Sequence, residues 1–232
     1  MKLSHLILGM IPLALAAVSS AATQPAAGGL VYAVTYFEAA APDVAHAAAL
    51  TRQFAAASLK EPNNAGFEAF QEIGRPSRVA TLEAWHDKAA SDAHSASASA
   101  SAFRDKLKPM LVGPIEIRSF HGFSIAPPSA QGGPLAVYVV THVDVFPAGK
   151  DQAGALVTAL AEAGRKMPGN LRFDVLQVDG HLNHFTLVQG WRDRKAFDES
   201  LMAAPTRDFR QKLTPLEGAL YDERLRCAFE GG

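Results

Sequence analysis

Cysteine occurs once in the 232 residues, at Cys227, so no intrachain disulfide can form and stability has to come from packing. Cys227 lies in an apolar C-terminal segment, where it reads as a small packed hydrophobe rather than a reactive thiol. An excess of charge is also lacking: 22 Lys and Arg stand against 23 Asp and Glu, a formal net charge of −1. With no basic stripe interleaved with aromatics, the electrostatic footprint of a phosphate-binding surface is missing, and nucleic acid is not an expected partner. HExxH, CxxC, GxGxxG and phosphate-loop motifs are absent, which removes the commonest signatures of zinc, thiol-redox, dinucleotide and nucleotide sites.

Long apolar runs are confined to the N-terminus. Lys2, an apolar stretch over residues 6–18 and then Ser19-Ser20-Ala21-Ala22 read as a secretory signal over residues 1–22, cleaved after Ala21 or Ala22. The run is shorter than the roughly 20 residues of a membrane-spanning helix, so export without stable membrane insertion is expected, with a retained anchor as the alternative. The remaining 200 or so residues have an ordinary globular composition, 48% hydrophobic over the whole chain.

Sliding the sequence along itself by 106 positions aligns it without a gap. Trp85 falls on Trp191, Phe67 on Phe173, Pro62 on Pro168, Thr35 on Thr141, Tyr32 on Tyr138 and Asp87 on Asp193. That period is domain-sized and too long for solenoid or propeller units. Two similar modules in one chain imply a covalent version of a symmetric dimer. Their expected extents are 30–123 and 135–229, separated by a linker over 124–134 whose Pro/Gly-rich composition has nothing to bury.

Each half reads as strand, helix, strand, strand, helix, strand. The first strands, 31–37 and 137–143, are apolar on both parities, so both faces should be covered. The first helices stop before Pro62 and Pro168. Turns are expected at Gly74-Arg75-Pro76-Ser77 and across 179–183. Asp87 and Asp193 are placed to cap the next helix, which Ser95–Ser101 in one half and Pro205 in the other should divide in two. Strand four is expected over 115–123 and 220–229. A βαββαβ module leaves one sheet face bare, and the second copy is its natural cover. The fold class is therefore α+β, two ferredoxin-like modules closing an intramolecular dimeric α/β barrel.

These residues resemble the antibiotic biosynthesis monooxygenase family of dimeric α/β-barrel proteins. The stretch Met167-Pro168-Gly169-Asn170-Leu171-Arg172-Phe173 is similar to its proline-glycine turn and second strand. Phe185 through Trp191-Arg192-Asp193 is similar to its third strand, and Glu83-Ala84-Trp85-His86-Asp87 with His94 to its Glu-x-Trp-x-Asp stretch and following histidine. The resemblance implies a pocket between sheet and helices of one module, a small aromatic phenol or quinol and O2 as substrates, and no metal or cofactor.

For such chemistry the catalytic candidates are Trp85, His94, Tyr36 and Glu83, and the substrate-binding candidates are Trp191, His142, Arg118 and Arg224. Glu83 and Thr81 share the face of Trp85 by strand period, as Gln189 does that of Trp191. A tryptophan kept in both copies also serves simply to fill the core. Tyr36 and His142 occupy equivalent places, where haem-degrading relatives keep an asparagine that neither half has; His94 is replaced by Ser200. Arg118 and Arg224 can hold an anionic substrate or form structural ion pairs. His181 and His184, joined by His142, are candidate metal ligands, although a two-residue gap on a turn aims the side chains poorly. Two readings from different classes follow: an exported cofactor-independent monooxygenase, or a non-catalytic periplasmic binding or stress-response module, with haem binding as a lesser variant. Further oligomerisation is left open. Intact-mass measurement of the exported protein should place its first residue at Ala22 or Thr23; an unprocessed mass would leave the anchor reading standing.

Overall fold

In the computed structural model the described residues are 29–127 and 132–227, with backbone alone from 218 onward. The leader expected over 1–22 and residues 128–131 of the linker lie outside them. The first half runs β1 (Val31–Glu38), α1 (Val44–Ser58), β2 (Asn64–Glu72), β3 (Arg75–Trp85), α2 (Lys88–Ser95), α3 (Ala98–Leu107) and β4 (Glu116–Ser124). The second runs β5 (Val137–Val145), α4 (Lys150–Gly164), β6 (Asn170–Val178), β7 (His184–Trp191), α5 (Arg194–Met202), α6 (Ala204–Leu213) and β8 (Glu217–Cys227). This is the expected βαββαβ order, twice.

Local chemistry sets the element ends. The Asp87 and Asp193 carboxylates accept hydrogen bonds from the Ala90 and Ala196 backbone N–H groups, each at 2.8 Å, satisfying an orphan donor of α2 and α5. Ser97 does the same for Ala100 at the start of α3, while Pro205 opens α6, so each half has two short helices. The turn after each first helix needs a left-handed residue, which is Asn63 (φ 63°) in one copy and Gly169 (φ 79°) in the other. At position 169 a Cβ would come within 2.7 Å of the Ala196 Cβ, so the second copy admits only glycine there without a shift. The first hairpin is tighter than the sequence suggested: Ile73 and Gly74 (φ 86°) make the whole turn, and Arg75 to Ser77 already belong to β3.

Within each module the sheet order is β4-β1-β3-β2 and β6-β7-β5-β8. The two sheets then join at both edges. Phe70, Gln71 and Glu72 pair with Cys227, Arg226 and Leu225, and β4 pairs with β6 from Phe120↔Val178 onward, giving a closed antiparallel barrel of eight strands. Closure leaves no unpaired edge, and the helices pack outside. Strand alternation then divides the core in two. Tyr32, Val34 and Tyr36 point into the barrel with Phe70, Phe120, Val140 and Leu176, whereas the opposite parity, Phe37 on β1 and Val139 and Val143 on β5, packs against the helices.

Tyr36 and His142, equivalent residues of the two copies, meet inside the barrel. The hydroxyl lies 3.0 Å from His142 Nε2, and His142 Nδ1 lies 3.0 Å from the Thr186 hydroxyl. Equivalent residues touch only near a symmetry axis, so the pseudo-two-fold of the fused dimer runs through this contact. The guanidinium groups of Arg78 and Arg118 each sit 5.8 Å from the Tyr36 ring centre. The linker, expected to bury nothing, does take part: Ala126 N–H donates to the buried Asp174 carboxylate at 3.2 Å.

Burial, reinforced by Arg118 and Arg78, pulls the His142 imidazole from 6.5 down to about 4. The unfolded chain therefore takes up this proton at a higher pH than the folded one. Stability is unaffected above about 6.5 and is lost as pH falls from there to about 4. Urea unfolding at pH 7 and pH 4.5 should show the protein losing about 2 to 3 kcal/mol more than His142→Gln over that interval. Equal losses would mean His142 is not held neutral.

Candidate functional site

On β3 the two-residue period puts Thr81, Glu83 and Trp85 on the helix side of the first module. His94, in the last turn of α2, is buried and comes down onto them. Its ring lies over Trp85 (centres 4.6 Å apart) and beside Phe54 (5.3 Å), which stacks in parallel on Phe103 at 4.2 Å. Glu61, from the turn before β2, places both carboxylate oxygens 2.9 and 3.0 Å from His94 Nδ1. Glu83 places one oxygen 3.4 Å from Nε2 and accepts a hydrogen bond from Trp85 Nε1 at 3.2 Å. A histidine is thus set between two carboxylates in an aromatic wall.

Electrostatics give the two carboxylates different characters. Burial pushes the Glu83 carboxyl above its ordinary value, against the pull of His94 and the Trp85 N–H and with a further push from Glu61. Glu61 is 28% exposed and Glu83 10%, so the chain Glu83–His94–Glu61 leads from the pocket towards solvent. The pocket is lined by Thr35, Phe37, Phe54, Glu83, His94 and Phe103 among others and encloses about 40 Å³, room for one or two waters.

The equivalent pocket of the second module is of the same size but different chemistry. Met167 stands where Glu61 does, Gln189 where Glu83 does and Ser200 where His94 does. Trp191 donates to Gln189 at 3.1 Å, and the Ser200 hydroxyl turns back to the Phe197 carbonyl at 2.6 Å. All three members of the polar chain are exchanged together.

Of the residues singled out from sequence, Trp85, Glu83 and His94 converge, with Trp191 in the corresponding place of the second module. Tyr36, His142 and Arg118 do not join either pocket. Strand parity turns the first two into the barrel interior, and Arg118 lies against Tyr36 and pairs with Glu116. The backbone of Arg224 pairs opposite Val139, and its side chain lies outside the described residues, as does that of Cys227. His181 and His184 stack on each other at the hairpin, with His184 beside Asp144 and His142 buried in the barrel. Among the described residues no group of three or more His, Cys, Asp and Glu is placed to hold a metal ion. Sequence reading missed Glu61. The repeat held only a weak signal, because Glu61 against Met167 is one of several charged-for-neutral exchanges, Arg52 against Thr158 and Glu72 against Val178 among them.

The sequence pattern of the family described as antibiotic biosynthesis monooxygenase matches residues 30–106 and again 136–212. No curated protein sequence matches the chain. Solved structures with this fold include a "putative monooxygenase" from Fusobacterium nucleatum (14% identity, TM-score 0.79, covering 87% of this chain and 94% of that one). Another, from Lactobacillus acidophilus, carries the same description (13% identity, TM-score 0.73, 87% and 95% covered). A third is an anthrone oxidase-like protein (12% identity, TM-score 0.63, 86% and 91% covered). At these identities the likeness is one of fold.

The second module is in effect a natural triple variant of the first. Glu61→Met, Glu83→Gln and His94→Ser together should therefore leave the protein folded, with little loss in unfolding free energy. His94→Ser alone strands two carboxylates and should cost about 2 to 3 kcal/mol. A triple variant less stable than the single would show that the three residues do not act as one unit.

Proposed function

The chain belongs to the antibiotic biosynthesis monooxygenase family in both halves, and from that premise we propose that its first module is the active site of an exported, cofactor-independent monooxygenase for a small aromatic phenol or quinol. The observation that carries the reading is the Glu61–His94–Glu83 chain, built into one aromatic pocket and absent from its copy.

Oxygen is reduced here by the substrate itself. A phenol with a free ring position and O2 give a quinone and water: one oxygen atom becomes the new carbonyl, the other leaves as water, and the substrate supplies all four electrons. The step that needs the protein is removal of the phenolic proton, because the phenolate is the species able to pass an electron to O2. Glu83 fits this task, since burial makes its carboxylate a stronger base than an exposed one. His94 stands beside it to stabilise the anion and hand the proton to Glu61, which reaches solvent. Phe54 and Phe103 supply the flat apolar walls for the ring.

The free volume favours a second reading. About 40 Å³ does not hold a phenol, so catalysis requires lining side chains, Arg104 among them, to move aside. A binding module that has lost its chemistry would need no such opening.

Oxygen uptake by the mature protein with a panel of phenols and hydroquinones separates the two. We expect turnover that falls by about a hundredfold or more in the Glu61→Met, Glu83→Gln, His94→Ser variant and is unchanged in Ser200→Ala. The rate should rise with pH through a carboxyl value above the ordinary 4.5, since Glu83 must be ionised to act. No turnover above that of the triple variant with any substrate would leave the non-catalytic reading.

A further inference from the structure

A second cavity lies inside the barrel, at the end opposite the Tyr36–His142 contact. It is a half-open recess of about 630 Å³, within the range of roughly 300 to 1,000 Å³ typical of small-ligand sites and far larger than the pocket at His94. Sheet geometry keeps the two apart, because Tyr32, Leu82 and Ala84 line the cavity from the strand face opposite to Glu83. Linker residues 125–127 form part of its wall.

Divergence between the copies made the space. Arg172 on β6 extends across the barrel mouth, while its equivalent on β2 is Gly66, flanked by Ala65 and Ala84. Arg172 pairs with Asp174 on its own strand and with Glu68 of the other module. Asp174 is 3% exposed and fully occupied, with one oxygen on Arg172 and the other on the Ala126 N–H. Glu68 is 37% exposed and faces the void. Among the described residues, one guanidinium between two carboxylates leaves the mouth with an excess negative charge beside an apolar wall. Tyr32 stays neutral, because burial, with the Asp174 carboxylate, pushes its hydroxyl up to about 12. Tyr32 and Tyr138, mates across the repeat, form part of the wall.

We propose that this barrel mouth is a ligand site distinct from the His94 pocket, and that it takes an organic cation, a protonated amine on a compact apolar body of one or two rings. The amine sits against Glu68 and the body fills the space over Gly66, Ala84 and Leu30. An anion of the same shape is repelled by the excess carboxylate charge.

Calorimetric titration of the full mature chain with phenethylamine, and with phenylacetate as its charge-reversed counterpart, tests the assignment. Saturable one-site binding is expected for the amine and none for the acid. Glu68→Gln should weaken the amine by roughly tenfold or more. Gly66→Leu should abolish binding by filling the void; a Cβ there meets only the Ala84 Cβ at 4.0 Å, so the strand accepts it. The triple variant of the His94 pocket should bind the amine as the unaltered protein does, which keeps this outcome independent of the oxygenase reading. Equal binding of amine and acid, amine binding indifferent to both Gly66→Leu and Glu68→Gln, or no saturable amine binding at all would each overturn the proposal.

Discussion

Everything in this molecule depends on edge pairing between the two copies. A four-stranded βαββαβ sheet covers one face with its own helices and leaves the other face, and two outer strands, without partners. The β2–β8 and β4–β6 pairings satisfy both edges at once and turn two half-buried sheets into one barrel with an apolar interior. Holding the copies in one chain makes that association intramolecular, so it no longer depends on protein concentration.

Fusion also releases the copies from identity. In a dimer of identical chains each substitution appears twice, and the two faces of the pseudo-two-fold must suit each other. Here the axis is occupied by unlike groups, a phenol and a neutral imidazole, 3.0 Å apart. The same freedom appears at the barrel mouth, where Arg172 faces the space left by Gly66, and in the module pockets. There the exchange of Glu61, Glu83 and His94 for Met167, Gln189 and Ser200 follows from the cost of burying charge: a histidine between carboxylates is tolerable as a set, and any remnant of the set is not.

Legibility of the fold from sequence was high where the signal was local or repeated. The 106-residue period, the helix stops at Pro62 and Pro168 and the caps at Asp87 and Asp193 are local rules that tertiary context did not override. The first hairpin was read too long because Pro76 looks like a turn residue, although Gly74 alone supplies the left-handed conformation and β3 begins at once. The site was half legible. Glu83, Trp85 and His94 lie within twelve positions of one another on one strand and the helix after it, whereas Glu61 reaches His94 from another turn altogether.

The sequence by itself determined that there are two modules, of which kind, and that they differ in their chemistry-bearing residues, because periodicity and turn chemistry act over a few residues and survive in the chain as pattern. Only the tertiary structure decided which face of each strand looks into the barrel and which towards the helices. That single parity sent Tyr36 and His142 to each other across the axis and away from the pockets, while the packing of the turn after α1 brought Glu61 to His94. Apolar residues on both parities of β1 and β5 carry no mark of inside or outside, so the choice is made only when the second sheet closes against the first.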